Sequence, residues 1–207
     1  MNSIENEEKE LSMEKEIKVY RIVDLMDENL TNGSKNMVTR ETGRIIREAI
    51  EVNIQKEQEE MIIILDFSGI GIIDFSCADE VAAKFIARLN LKEYGDKYLL
   101  FSGLTPSQEE NITAALEKKK LSLLSLKENG GWKLMGILNP YLKDTLDLVM
   151  ARKSLTAREL ADLTGVEINS ASTKLLNLNK ARLAIRVREA LPNGGRQFVY
   201  RSLISLS

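Results

Sequence analysis

The residues best placed to do chemistry in this 207-residue chain are two Asp-Phe-Ser triplets, Asp66-Phe67-Ser68 and Asp74-Phe75-Ser76, eight positions apart. The only cysteine, Cys77, follows the second triplet directly. An acid, a hydroxyl and a thiol so close together raise three chemistries: nucleophilic attack, acceptance of a phosphoryl group, and plain helix capping. A serine or cysteine nucleophile needs a base to take its proton, usually histidine, and the chain has no histidine. The same absence removes the commonest metal ligand. A lone cysteine makes neither an intrachain disulfide nor a thiolate zinc site, which fits a reducing compartment. The 68–71 stretch Ser-Gly-Ile-Gly is too short to cradle a phosphate, and no Gly-Lys-[Ser/Thr] follows it. With no catalytic constellation, metal set or cofactor motif in sight, the chain is expected not to be an enzyme and to use no cofactor.

Ser76 supports two readings. Followed by Asp79 it forms Ser-x-x-Asp, close to a capping box whose hydroxyl accepts an orphan amide of the first turn. A phosphate on Ser76 would instead draw on the free N–H groups and dipole of a helix start. It would also face the like charge of Asp74, Asp79 and Glu80. Asp74 reads as a turn residue or as a partner contact, and Asp66 as a strand end bonding loop amides. Cys77, with no adjacent cation, reads as a small buried hydrophobe.

The elements that must position these residues follow from periodicity. Residues 17–25 alternate and are rich in β-branched side chains, predicting a strand. Asn32-Gly33 is a turn signal. Residues 37–55 put Val38, Ile45, Ile46, Ala49, Ile50 and Ile54 on one helical stripe. The continuous apolar run at 61–65 predicts a buried central strand. A helix from Cys77 with Val81, Ala82, Phe85 and Leu89 inward, a strand at 97–103, a helix opened by Pro106 and a last strand at 121–126 complete an α/β layer with a largely parallel sheet.

Charge divides the chain. Residues 1–138 carry 18 Lys+Arg against 25 Asp+Glu, whereas residues 151–207 carry 10 against 4. An acidic front and a basic end predict two domains, the second with an anionic partner. The expected division is a loose acidic tail at 1–16, an α/β domain at 17–127, a linker at 128–139 with Trp132 and Met135 packed between the halves, and a second domain at 140–207. The opening residues form no apolar signal core, and the run at 61–65 is far short of a membrane span. A soluble cytoplasmic protein is expected, with no membrane partner.

After residue 140 the pattern predicts a helix with Leu142, Leu146 and Val149 inward. A second helix is opened by a Thr156/Glu159 capping box and ends in a turn at Thr164-Gly165-Val166. A third helix, 167–180, buries Ala171, Leu175 and Leu178, and two alternating strands flank a hairpin turn at Pro192-Asn193-Gly194-Gly195.

Two resemblances rest on these residues. The stretch IIILDFSGIGIIDFSCADEVAAKF with KYLLFSGLTPSQEENITAALEKKKLSLLSL resembles a divergent STAS-like domain, a relative of the anti-sigma-factor antagonists, over about half the chain. The family pattern has Asp-Ser-Ser-Gly where this chain has Asp74-Phe75-Ser76-Cys77. The resemblance implies phosphorylation of Ser76 by a partner kinase and a partner-binding surface at Asp74, Phe75, Ser76 and Asp79. Residues 155–203, with ARELADLTGV as the most specific stretch, resemble a winged helix-turn-helix. In that family the second helix of the motif enters the major groove and the wing touches phosphate or the minor groove. By position this implies Asn169, Ser170, Ser172, Thr173, Lys174 and Asn177 as groove-facing residues, with Arg186, Arg188 and Arg196, and more distantly Arg201, on the wing.

The expectation is therefore an α/β STAS-like domain, a mixed sheet with packed helices, followed by a small α+β winged-helix domain. It would serve as a bacterial-type transcription regulator whose first domain, meeting a kinase or anti-sigma-like factor, controls DNA binding by the second. A homodimer is the default, because operators are two-fold. The alternative is a partner-switching adaptor whose two domains both dock proteins.

Overall fold

The computed structural model describes residues 17–31, 33–191 and 194–204. Strand β1 (Ile17–Arg21) leads into helix α1 (Ile22–Asn29), and α2 (Arg40–Gln55) precedes β2 (Ile62–Asp66). One continuous helix, α3 (75–90), has widened i→i+5 turns over Asp79–Lys84 and leads to β3 (Tyr98–Ser102). Helix α4 (Pro106–Lys118), β4 (Ser122–Leu126) and β5 (Trp132–Gly136) complete the sheet. Its order is β1-β2-β3-β4-β5, with the first four strands parallel and β5 antiparallel to β4.

Side chains alternate across a strand, so the sheet has two apolar faces, and both are covered. Ile63, Leu65, Leu99, Phe101, Leu123 and Met135 face the helical layer, where Ile46, Ile50, Val81, Phe85 and Ile112 close the first core. Ile62, Tyr98, Leu100 and Leu124 face the other way, into a second core shared with the C-terminal unit. The unbroken apolar run of β2 has this cause: a strand buried on both faces has no polar side to alternate with.

The C-terminal unit runs α5 (Pro140–Arg152), β6 (Ser154–Thr156), α6 (Ala157–Thr164), α7 (Ile168–Lys180), β7 (Ile185–Ala190) and β8 (Arg196–Arg201). Its strands form an antiparallel sheet of order β6-β8-β7. Leu142, Leu146, Val149, Ala171, Leu175 and Leu178 are all buried in the second core, as their spacing predicts. The Thr156/Glu159 capping box is formed, and Gly165 closes α6 in a left-handed conformation, φ 68°, which glycine adopts without steric penalty.

Four expectations need correction. The strand expected at 17–25 stops at Arg21, because Ile22, Leu25 and Met26 sit at helical spacing and bury together. Val38 is 48% exposed and precedes the helix, whose first turn is fixed instead by Thr39, which accepts the Thr42 amide. The stretch at 121–126 is not the last strand. Residues 132–136, expected as linker, form β5: Met135 joins the helix-side core, while Trp132 and Leu134 pack toward the C-terminal unit. The expectations for residues 1–16 and for Asn32, Pro192 and Asn193 lie outside the described residues.

Candidate functional site

Two surfaces carry the residues singled out above. The first is the β2–α3 junction. Asp66, at the end of β2, accepts from the Ser68 amide (3.0 Å) and hydroxyl (2.7 Å), and so ends its strand on loop groups as expected. The chain then crosses to Ile73, which pairs with Met37, and reaches Asp74. The N-cap of α3 is Asp74, not Ser76. Its backbone is extended (φ −80°, ψ 168°) and its carboxylate accepts the Cys77 amide at 2.8 Å. Ser76 lies inside the first turn, half-buried, and its hydroxyl donates to Asp74 at 2.9 Å. A carboxylate in the last non-helical position satisfies an orphan amide directly, so the serine supports the cap without being it.

Asp79 takes no part in the cap. It is buried and paired with Arg40 (3.0 Å) and Lys119 (3.2 Å). Glu80, 1% exposed, receives Arg40 (3.0 Å), Arg47 (3.2 Å) and Lys84. Glu51 accepts from Arg47 (2.5 Å), Arg88 (2.6 Å) and the Tyr94 hydroxyl (2.6 Å). Burial alone would raise the Glu80 carboxyl, but Lys84, Arg47 and Arg40 outweigh it and hold it below the usual range. The sequence reading missed this network, although Arg40, Arg47 and Glu51 at helical spacing were its signal.

Phe75 packs on the first core with the Lys118 ammonium 5.3 Å from its ring centre. Cys77 is fully buried and its thiol donates to the Thr39 carbonyl at 2.7 Å. Burial, reinforced by Asp74, pushes that thiol up to about 12. Close packing of α2 on α3 depends on Gly43, where an added Cβ would lie 2.8 Å from the Cys77 Cα. Of the four partner-surface residues, Asp74, Phe75 and Ser76 are thus half-exposed at one helix start, and Asp79 is engaged beneath them. Beside them the paired Met37 and Ile73 leave their neighbours Val38 (48%) and Ile72 (59%) exposed.

The second surface is formed by α6, α7 and the β7–β8 hairpin. Asn169, Ser170, Ser172 and Thr173 are exposed on α7, while Lys174 and Asn177 are half-buried. The cross-strand pairs Arg186–Tyr200, Arg188–Phe198 and Ala190–Arg196 place three arginines and two aromatic rings on one hairpin face. Arg186 does not project from that face. Its guanidinium lies over the Phe198 ring, 3.4 Å from the ring centre. Arg201 pairs with Glu189 at 2.8 Å. Arg188 and Arg196 remain as exposed cations with no ion pair among the described residues. Between hairpin and helices lies a cleft of about 480 Å³ lined in part by Arg158, Ile168, Ser172, Arg196 and Phe198. Arg158 is exposed at the start of α6, and the sequence signal there is that of the Thr156/Glu159 capping box, which says nothing of its neighbour.

The two surfaces belong to units that share a core. Tyr98 on β3 is buried, and its hydroxyl oxygen accepts from the Asn179 side chain at 3.0 Å. Arg182, just past α7, is 5% exposed, pairs with Asp96 and lies 5.7 Å from the Tyr98 ring centre. The end of α7 is therefore keyed to the start of β3.

Among the described residues no group of three or more acidic, His or Cys side chains could hold a metal, and no helix is long and apolar enough to cross a membrane. Compared with known proteins, the chain matches no family model and no curated sequence.

Proposed function

We propose that this protein is a cytoplasmic transcription regulator, in which a STAS-like α/β domain controls a winged-helix DNA-binding unit. The observation that carries the reading is the exposed polar face of α7 set beside a hairpin face with Arg188 and Arg196 outward. A helix with short polar side chains matches the width of a major groove, and unpaired arginines beside it supply the phosphate neutralisation that dominates affinity for DNA. Binding as a homodimer would match a two-fold operator.

Control enters at the Ser76 junction. A phosphate there replaces a hydroxyl that donates to Asp74 with a group that repels it, which loosens the cap of α3. Helix α3 leads through residues 91–97 to Asp96 and Tyr98, the residues that hold Arg182 and Asn179 at the end of α7. The partner is then a kinase or anti-sigma-like protein that reads Asp74, Phe75 and Ser76, with the exposed Val38 and Ile72 supplying apolar contact.

A second reading, a partner-switching adaptor, is favoured by one observation. Ile168, Leu191 and Phe198 are each between 39% and 50% exposed around the cleft, an apolar rim suited to a protein. The readings part in one titration: the full chain against a fluorescent random duplex, followed by anisotropy across a salt series. A regulator binds at low salt and loses affinity steeply as salt rises; no binding at any salt leaves the adaptor in front.

A further inference from the structure

We infer that the exposed face of α7 reads A·T base pairs, so that the protein's target sites carry an A·T-rich core; this rests on the DNA-binding reading above. In the major groove guanine is read chiefly by Arg or Lys through O6 and N7. Adenine is read by Asn or Gln through N6 and N7, and thymine by apolar contact with its methyl group. The exposed residues of the first half of α7 are Ile168, Asn169, Ser170, Ser172 and Thr173, with no cation among them. The nearest lysine, Lys174, is half-buried and leans toward α5, its ammonium 5.9 Å from the Tyr141 ring centre. Guanine therefore has no bidentate reader on this face.

Adenine and thymine have theirs. The Asn169 amide is exposed and has no hydrogen-bond partner among the described residues, so its donor and acceptor are both free for an adenine edge. Ile168, one position before it, is 50% exposed and lines the cleft toward the hairpin, an apolar surface that suits a thymine methyl. The Thr173 hydroxyl donates along the helix to the Asn169 carbonyl at 2.8 Å and keeps only its acceptor side for a base, which does not separate adenine from cytosine. Ser170 and Ser172 pair with either base and tune rather than decide. Arg188 and Arg196, on the hairpin, engage phosphate and carry no sequence information.

The test is selection of sites from a random duplex library by the full-length protein, repeated with Asn169→Arg, Asn169→Ala and Ile168→Ser. Both positions are exposed at the start of α7, and coincident thermal melts establish that the variants fold. The wild type is expected to enrich sites with an A·T core. Asn169→Arg is expected to move one position from A·T to G·C. Asn169→Ala should relax discrimination at one position by roughly 5- to 150-fold, and Ile168→Ser should weaken selection for thymine. A G·C core, an unchanged preference in Asn169→Arg, or salt-sensitive binding with no preference would each overturn the inference while leaving the DNA-binding reading standing. Failure to bind any duplex would overturn both.

Discussion

At the scale of single residues, the chemistry of the β2–α3 junction is decided by which oxygen takes the first free amide of α3. Asp74 takes it, and Ser76 only donates to Asp74. Asp74→Ala is therefore expected to cost about 1 kcal/mol of stability, within the range for loss of an N-cap, and Ser76→Ala less than about half of that. Chemical denaturation of the two variants checks the order, and a larger loss at Ser76 would return the cap to the serine. Cys77, buried with its thiol pushed up to about 12, stays protonated at neutral pH. Alkylation is expected only when the chain is unfolded by denaturant, and rapid labelling of the native protein would contradict the packing. Glu80 makes a pH prediction. Its folded-state value is depressed below the ordinary 4.5, so its contribution is complete above that pH and is lost as pH falls through the lower folded value. Thermal stability should drop on acidification in that window, with a shallower slope in Glu80→Gln. Glu80→Ala should cost roughly 1.5–3 kcal/mol, the range for losing a charge-assisted hydrogen bond, because Arg47, 11% exposed, then keeps only Glu51 as a buried partner.

At the scale of elements, what was legible in the sequence depended on whether one face or two were buried. The stripes on α2 (without Val38), α5 and α7 and the Thr156 and Gly165 caps are local signals, and the structure keeps them. β2 was legible because burial on both faces leaves only apolar residues. β5 was hidden because its alternate residues serve two different cores: Met135 one way, Trp132 and Leu134 the other. β6 is three residues long and exists through its pairing with β8, some 45 positions on, too short for any period to register. Of the candidate site, the exposure of Asn169, Ser170, Ser172 and Thr173 was legible from their position in the helix. The capture of Arg186 by Phe198, and of Asp79 by Arg40 and Lys119, are tertiary events that spacing does not encode. Leu100→Ala, on the sheet face toward the C-terminal unit, is expected to cost about 2–5 kcal/mol as a large-to-small core change. Hydrogen exchange should show faster amides in α5 and α7 as well as in β3.

At the scale of the whole molecule, the charge division of the sequence suggested two bodies, yet one core runs across both. Ile62, Tyr98, Leu100 and Leu124 of the sheet pack with Leu142, Leu146, Leu175 and Leu178 of the C-terminal unit. The only tryptophan, Trp132, packs against that shared core. Its fluorescence and the far-ultraviolet circular dichroism should therefore report a single coincident unfolding transition, and two separated transitions would show that the units unfold independently. Docking also gives the α/β domain a hold on α7, through Asp96 with Arg182 and Tyr98 with Asn179. The central claim is that the face formed by α7 and the hairpin binds DNA. It is tested most directly by the slope of log affinity against log salt for the full chain and for Arg188→Ala/Arg196→Ala. Each phosphate contact contributes about 0.9 to that slope, so the double variant is predicted to be shallower by about 2 while folding normally. An unchanged slope, or no affinity for duplex DNA in the wild type, would contradict the account.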